Sequence, residues 1–199
     1  MIKVALFDVG GVLVTSTTNA VSKALSDLGL TEAQVDEVWD DYIDSQLGCG
    51  LIDEWQFWQE VCSKYKLRSV TVEENLLGRP YQEAVMPNES VLFIAWTLKE
   101  RGLTLAILSD TIEPHARVMR AMGIFGDFDH IFFSHEIGCR KPNVETFRLV
   151  VDRLGVSPDE VVFIDDRSDN VESAAALGMR GIVFRDAGQL TKEIQNVLS

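Results

Sequence analysis

Four short apolar runs punctuate the chain, each meeting polar residues at its end: KVALFD at 3–8, LTLAILSD at 103–110, HIFFS at 130–134 and EVVFIDD at 160–166, with GIVF at 181–184 as a fifth. Continuous apolar runs of this length predict strands buried on both faces. Helical spacing fills the intervals. It predicts a helix over residues 88–101 closed by Gly102, another over 113–122 stopped by Gly123, and a third over 144–154. Ser157 to Glu160 reads as a capped helical turn, and Ser168 or Asp169 is placed to cap a helix that Gly178 ends. Strands alternating with helices predict an α/β fold with a parallel sheet covered on both sides. Three runs end on Asp8, on Ser109-Asp110 and on Asp165-Asp166. In a parallel sheet those ends share one edge, where ligands bind.

Residues 15–86 break this rhythm and predict no strand. Thr31 with Gln34 forms a capping box for a helix to about Leu47, along which Trp39, Tyr42, Ile43 and Leu47 recur at helical spacing. Thr71 with Glu74 predicts another start, and Trp55, Phe57 and Trp58 fall in a further helix. Aromatic residues so spaced are more often core than pocket lining. The expected organisation is an α/β core domain of residues 1–14 and 87–199, with a helical domain of residues 15–86 inserted over the ligand edge on two adjacent stalks. The 199 residues suffice for such a core and 46% of them are hydrophobic, so no staples are required.

Charge and cysteines narrow the partners. A net charge of −13 argues against nucleic acid or an anionic membrane, which clustered Lys and Arg would bind. It leaves room for a small phosphorylated metabolite held by one or two local cations. Cys49, Cys62 and Cys139 have neither the number nor the spacing for a disulfide framework or a zinc site, as suits a reducing compartment. No run is long enough to span a membrane and no leader pattern opens the chain, so a cytoplasmic protein is expected.

The candidate chemistry lies at the strand ends. A lone Asp there is usually a cap or a solvated loop residue. Asp8, however, runs into Gly10 and Gly11, whose backbone allows close approach of an anion. Asp165 and Asp166 repel each other as neighbours. One could turn to solvent, but a hard divalent cation explains the pair better. Lys141, in CRKPN, is placed to neutralise Asp8 and a phosphate dianion, although a single Lys is ordinarily surface. Ser109 offers a hydroxyl to a phosphoryl oxygen or is a simple turn residue. Arg140 and Arg79 are weaker candidates for touching substrate.

The order Asp8, Ser109, Lys141, Asp165-Asp166 resembles the haloacid dehalogenase-like superfamily, whose four motifs are matched by FDVGGVLV, LAILSD, the Lys of CRKPN and VVFIDDRSDN. The resemblance implies a Rossmann-like parallel sheet core with an inserted helical cap. It implies a phosphatase in which Asp8 attacks phosphorus to form an aspartyl-phosphate that water hydrolyses. Mg2+ would be held by Asp8, the Gly10 carbonyl and Asp165 or Asp166, while Ser109, Lys141 and the N–H groups around Gly10 and Gly11 hold the phosphoryl group. Two positions depart from the pattern. Gly10 stands where most family phosphatases carry a second Asp as general acid and base, a group whose loss costs ~10²–10⁴-fold. This resembles the branch containing bacterial glucose-1-phosphate phosphatases and favours leaving groups that depart without a proton. Asp110 stands where Asn is common, an unfavourable charge beside a phosphate unless it faces away or binds the cap. The competing expectations are a weakly active or non-catalytic binding protein and a metal-free 2-haloacid dehalogenase. The acidic pair speaks against the latter. A monomer or a homodimer fits equally.

Overall fold

The computed structural model describes residues 1–15 and 18–198. Five strands form one wholly parallel sheet: β1 (Val4–Phe7), β2 (Thr104–Ser109), β3 (His130–Phe133), β4 (Val161–Asp165) and β5 (Arg180–Val183), in the order β3-β2-β1-β4-β5. All four residues of β1 are buried because it is the central strand, paired with β2 on one side and β4 on the other. Strand geometry sends alternate side chains to opposite faces. Ala5, Phe7, Leu105, Ile107, Val162 and Ile164 therefore build one apolar layer. Val4, Leu6, Ala106, Leu108, Val161 and Phe163 build the other.

Between β1 and the rest of the sheet the chain forms α1 (Thr18–Asp27), α2 (Glu32–Val38), α3 (Glu54–Tyr65) and α4 (Gly78–Ala84). Thr31 caps α2 with Gln34 as predicted, but the helix does not continue regularly to Leu47. From Trp39 to Leu47 it is a π-helix, with Gly48 N–H donating to the Ile43 carbonyl at 2.7 Å. Bonds from i+5 back to i lengthen the repeat, so Trp39, Ile43, Asp44 and Gly48 all border one cleft. The Thr71–Glu74 capping box exists but closes only a single 3₁₀ turn, Val72–Glu74. Phe57 and Trp58 are buried in a cluster with Val21, Val38, Leu47 and Leu77, each such side chain stabilising by about 1.5–3 kcal/mol. Trp39 packs against that cluster, whereas Trp55 is exposed. The two connections meet at a bridge between Val14 and Pro87, reinforced by Thr15 N–H to Met86 O at 2.9 Å and Asn88 N–H to Leu13 O at 2.8 Å.

Flanking the sheet, α5 (Glu89–Glu100), α6 (Glu113–Ala121) and α10 (Ala187–Leu198) cover the Phe7 face. The opposite face is covered by α8 (Val144–Leu154) and α9 (Ser168–Leu177), and a short α7 (Ser134–Ile137) follows β3. The expected cap on α9 is corrected. Arg167 is the N-cap residue, and Asp169 pairs instead with the Arg167 guanidinium at 2.7 Å. The three cysteines are free. No helix among the described residues is long and apolar enough to cross a membrane.

Candidate active site

The central position of β1 aims Asp8 between the ends of its two neighbours. Asp8 N–H donates to Ile164 O at 2.8 Å, which carries the ladder one residue past the strand and sets Asp8 beside Asp165. Lys141 arrives from the loop between α7 and α8. Thr146 donates its hydroxyl to Arg140 O at 2.8 Å, and Asp110 accepts the Lys141 N–H at 3.2 Å, so the loop is fastened from two sides at adjacent residues. Lys141 Nζ lies 2.7 Å from Asp8 Oδ1 and 2.7 Å from Asp165 Oδ2, and all three residues are buried.

Adjacent in sequence, Asp165 and Asp166 have different surroundings. Asp165 Oδ2 accepts from Lys141 and from Asn170 Nδ2, and its Oδ1 accepts from Arg167 N–H and again from Asn170. Asp166 is exposed toward the cleft and lies against the turn at Gly11, where a Cβ would collide with its carboxylate. Gly11 also sits at φ +78°, which glycine alone adopts without strain. Carboxylate oxygens of Asp8, Asp165 and Asp166 come within 4.8 Å of one another.

Three carboxylates against one ammonium leave the cluster short of positive charge. Burial raises the Asp8 carboxyl to about 7, with Asp165 adding to the rise and Lys141 opposing it. Burial and Asp165 also raise Asp166. For Lys141, burial alone would favour the neutral amine, but Asp8, Asp165 and Asp110 outweigh it and hold the ammonium charged. A hard cation among these oxygens is what the donor set fits.

Ser109, Asp110, Gly10 and Arg140 border the same cleft, of roughly 500 Å3, formed between the sheet edge and the helical segment. Two of these side chains are already engaged with protein. Asp110 is turned onto the Lys141 loop and lies 3.8 Å from Arg140 Nε. Arg140 reaches across to Asp44 Oδ1 at 2.7 Å, linking the loop to the π-helix. The expectation for Gly11 is corrected: its N–H donates to Val14 O at 2.8 Å, so the turn spends that group internally. Arg79 is exposed on α4 and does not border the cleft.

A family model for haloacid dehalogenase-like hydrolases matches residues 2–178. The chain belongs to that family. It is 27% identical over 198 residues to a sesquiterpene phosphatase of Aspergillus oryzae, covering 98% of this chain and 96% of that protein. It is 28% identical over 204 residues to a drimenol cyclase of Aspergillus calidoustus, 99% of this chain but only 37% of the cyclase. Among solved structures, a HAD family enzyme of Bacteroides thetaiotaomicron, in complex with magnesium and inorganic phosphate, superposes with a TM-score of 0.78. At 22% identity over 93% of this chain and 95% of that one, the likeness is one of fold.

In this haloacid dehalogenase-like chain three site residues carried no separate signal in the sequence. Asn170, inside the fourth motif, clamps both oxygens of Asp165. His115 and Tyr81 border the cleft as a stacked pair with ring centroids 3.9 Å apart. They lie on α6 and on α4, and the polar, proline-interrupted stretch of α4 gave no periodicity to predict it.

Proposed function

We propose that the protein is a Mg2+-dependent phosphatase of small phosphorylated metabolites, with residues 15–86 acting as a cap over an α/β core. The observation that carries this reading is the buried Lys141 ammonium shared between Asp8 and Asp165 at the end of the central strand, with Asp166 beside them. Buried charges are costly unless they are used, and this cluster is arranged around one carboxylate. The kinship with the Aspergillus oryzae phosphatase supports phosphoryl chemistry.

Asp8 is the nucleophile. Its carboxylate attacks phosphorus, the bond from phosphorus to the leaving oxygen breaks, and an aspartyl-phosphate results. Water then attacks that phosphorus, the bond from phosphorus to Asp8 breaks, and inorganic phosphate and the Asp8 carboxylate are freed, the proton of the water passing to the phosphate or to solvent. Lys141 favours the ionised form of Asp8 against burial and would face the phosphoryl oxygens together with the Ser109 hydroxyl. Asp166, Asp8 and the Gly10 carbonyl would hold the metal, which supplies charge neutralisation at the nucleophile and phosphate. Asp165, saturated by Lys141, Asn170 and Arg167, positions the lysine. Asp110 does the same through the Lys141 N–H. The departing oxygen finds no acid at Gly10 and takes its proton from solvent or substrate, which supports a preference for good leaving groups such as an anomeric phosphate.

The test is hydrolysis of acetyl phosphate and p-nitrophenyl phosphate with Mg2+, with EDTA, and with Asp8→Asn. Turnover lost in both of the latter is the expected result. Silence with both substrates at millimolar Mg2+ would favour the binding-protein reading, which Gly10 motivates. Metal-free halide release from a 2-haloacid would favour a dehalogenase.

A further inference from the structure

The cleft lining outside the carboxylate cluster has a chemistry of its own. Trp39 and Ile43 from the π-helix, Ile112 ahead of α6, and the Tyr81–His115 stack supply apolar and aromatic surface. His115 adds no charge at neutral pH, since burial lowers it to about 4, and its Nε2 is buried without a hydrogen-bond partner.

Charge on this wall is one-sided. Three cations border the cleft among the described residues, and each already has a carboxylate partner. Lys141 is held by Asp8 and Asp165, Arg140 by Asp44 and Asp110, and Arg167 by Asp169. Among the described residues the charged groups that the helical side contributes are both acids, Asp36 and Asp44. A phosphate has Lys141 and Ser109 to meet it. A second anionic group on the same molecule would enter a cleft bordered by Asp36 and would have to draw Arg140 or Arg167 away from a carboxylate partner.

The geometry points to a substrate class: phosphomonoesters whose phosphate is their only anionic group, carried on an uncharged leaving group with an apolar ring or chain. This rests on the reading of Asp8 as the phosphoryl-accepting nucleophile. Roughly 500 Å3 of cleft accommodates a leaving group well beyond two or three carbons. Selection against carboxylates comes from repulsion, so it acts on binding and on kcat/KM together.

The experiment uses a pair matched in the bond that breaks: benzyl phosphate and 4-carboxybenzyl phosphate, with acetyl phosphate as the control for turnover. The expected result is a kcat/KM at least about tenfold higher for the uncharged ester, about 1.4 kcal/mol of discrimination. Asp36→Lys, a change at an exposed site on α2, should shrink that ratio at least several-fold by favouring the carboxylated ester. The corresponding benzylphosphonates, which are not cleaved, should show the same order of affinity by calorimetry. Equal kcat/KM for the two esters with Asp8-dependent turnover overturns the substrate class and leaves the nucleophile assignment standing. If even acetyl phosphate is untouched, the phosphatase reading falls. Equal phosphonate affinities would then overturn the ligand class as well.

Discussion

At position 10 there is space that the chain does not fill: a Cβ built on Gly10 meets no heavy atom within 4 Å. An Asp side chain there is sterically free to enter the cleft beside Asp8. Gly10→Asp should raise kcat on alkyl phosphates by about 10–100-fold and leave acetyl phosphate nearly unchanged, since only poor leaving groups need the proton. Steady-state kinetics on the two substrate types checks this; an equal change on both would place the gain in the shared hydrolysis of the aspartyl-phosphate and overturn the leaving-group argument. Gly11 is the opposite case. Its φ of +78° and the nearby Asp166 carboxylate leave no room for a methyl group. Gly11→Ala should cost about 1–2 kcal/mol in stability and weaken divalent-ion affinity, read by denaturant melts and by Mg2+ titration of the melting temperature. The residues legible in the sequence were those at strand ends, because a parallel sheet collects them whatever lies between. Which acid of the 165–166 pair turns inward was not legible. Asp165 belongs to β4 and points into the protein, while Asp166 has left the strand.

Elements repeat this division between what periodicity reveals and what packing decides. The strands and the helices over residues 88–101 and 144–154 were readable because each has an unbroken apolar period and a clear stop. The π-helix was not, because a 3.6-residue period and a longer one coincide over so few turns. That segment touches the core through Arg140 and Asp44, a partly exposed pair worth about 0.5–1 kcal/mol. Arg140→Met should therefore lower kcat/KM only a few-fold, chiefly through KM, in the assay above. The contact between α4 and α6 has a pH signature. His115 has a folded pKa of about 4 against 6.5 unfolded, because burial disfavours the imidazolium. Between those values the unfolded chain binds a proton that the folded chain does not. Stability from this group is thus complete above about pH 6.5 and is lost as pH falls toward 4, by about 2 kcal/mol for a ring that still borders the cleft. Denaturant midpoints at several pH values should show that slope, and His115→Phe, which keeps the stack on Tyr81, should remove its share of it.

The whole molecule carries 31 acidic side chains against 18 Lys and Arg. Self-repulsion of this excess should make the melting temperature rise as NaCl is increased to about 0.3 M, since screening relieves repulsion more than it weakens the buried Lys141 contacts. Its architecture was the most legible scale of all, because alternation of strand and helix restricts the topology so severely. The same topology ties the site to the closure of the sheet. The strand that leads into Asp8 comes before both of its partners in the chain, and one of them, β4, begins only at residue 161. Without β4 one edge of β1 would be unpaired, with β2 and β3 forming only half of the sheet. Closing the sheet and completing the carboxylate cluster are therefore one event, because the same late strand that covers the second edge of β1 also delivers Asp165 and Asp166 to Asp8.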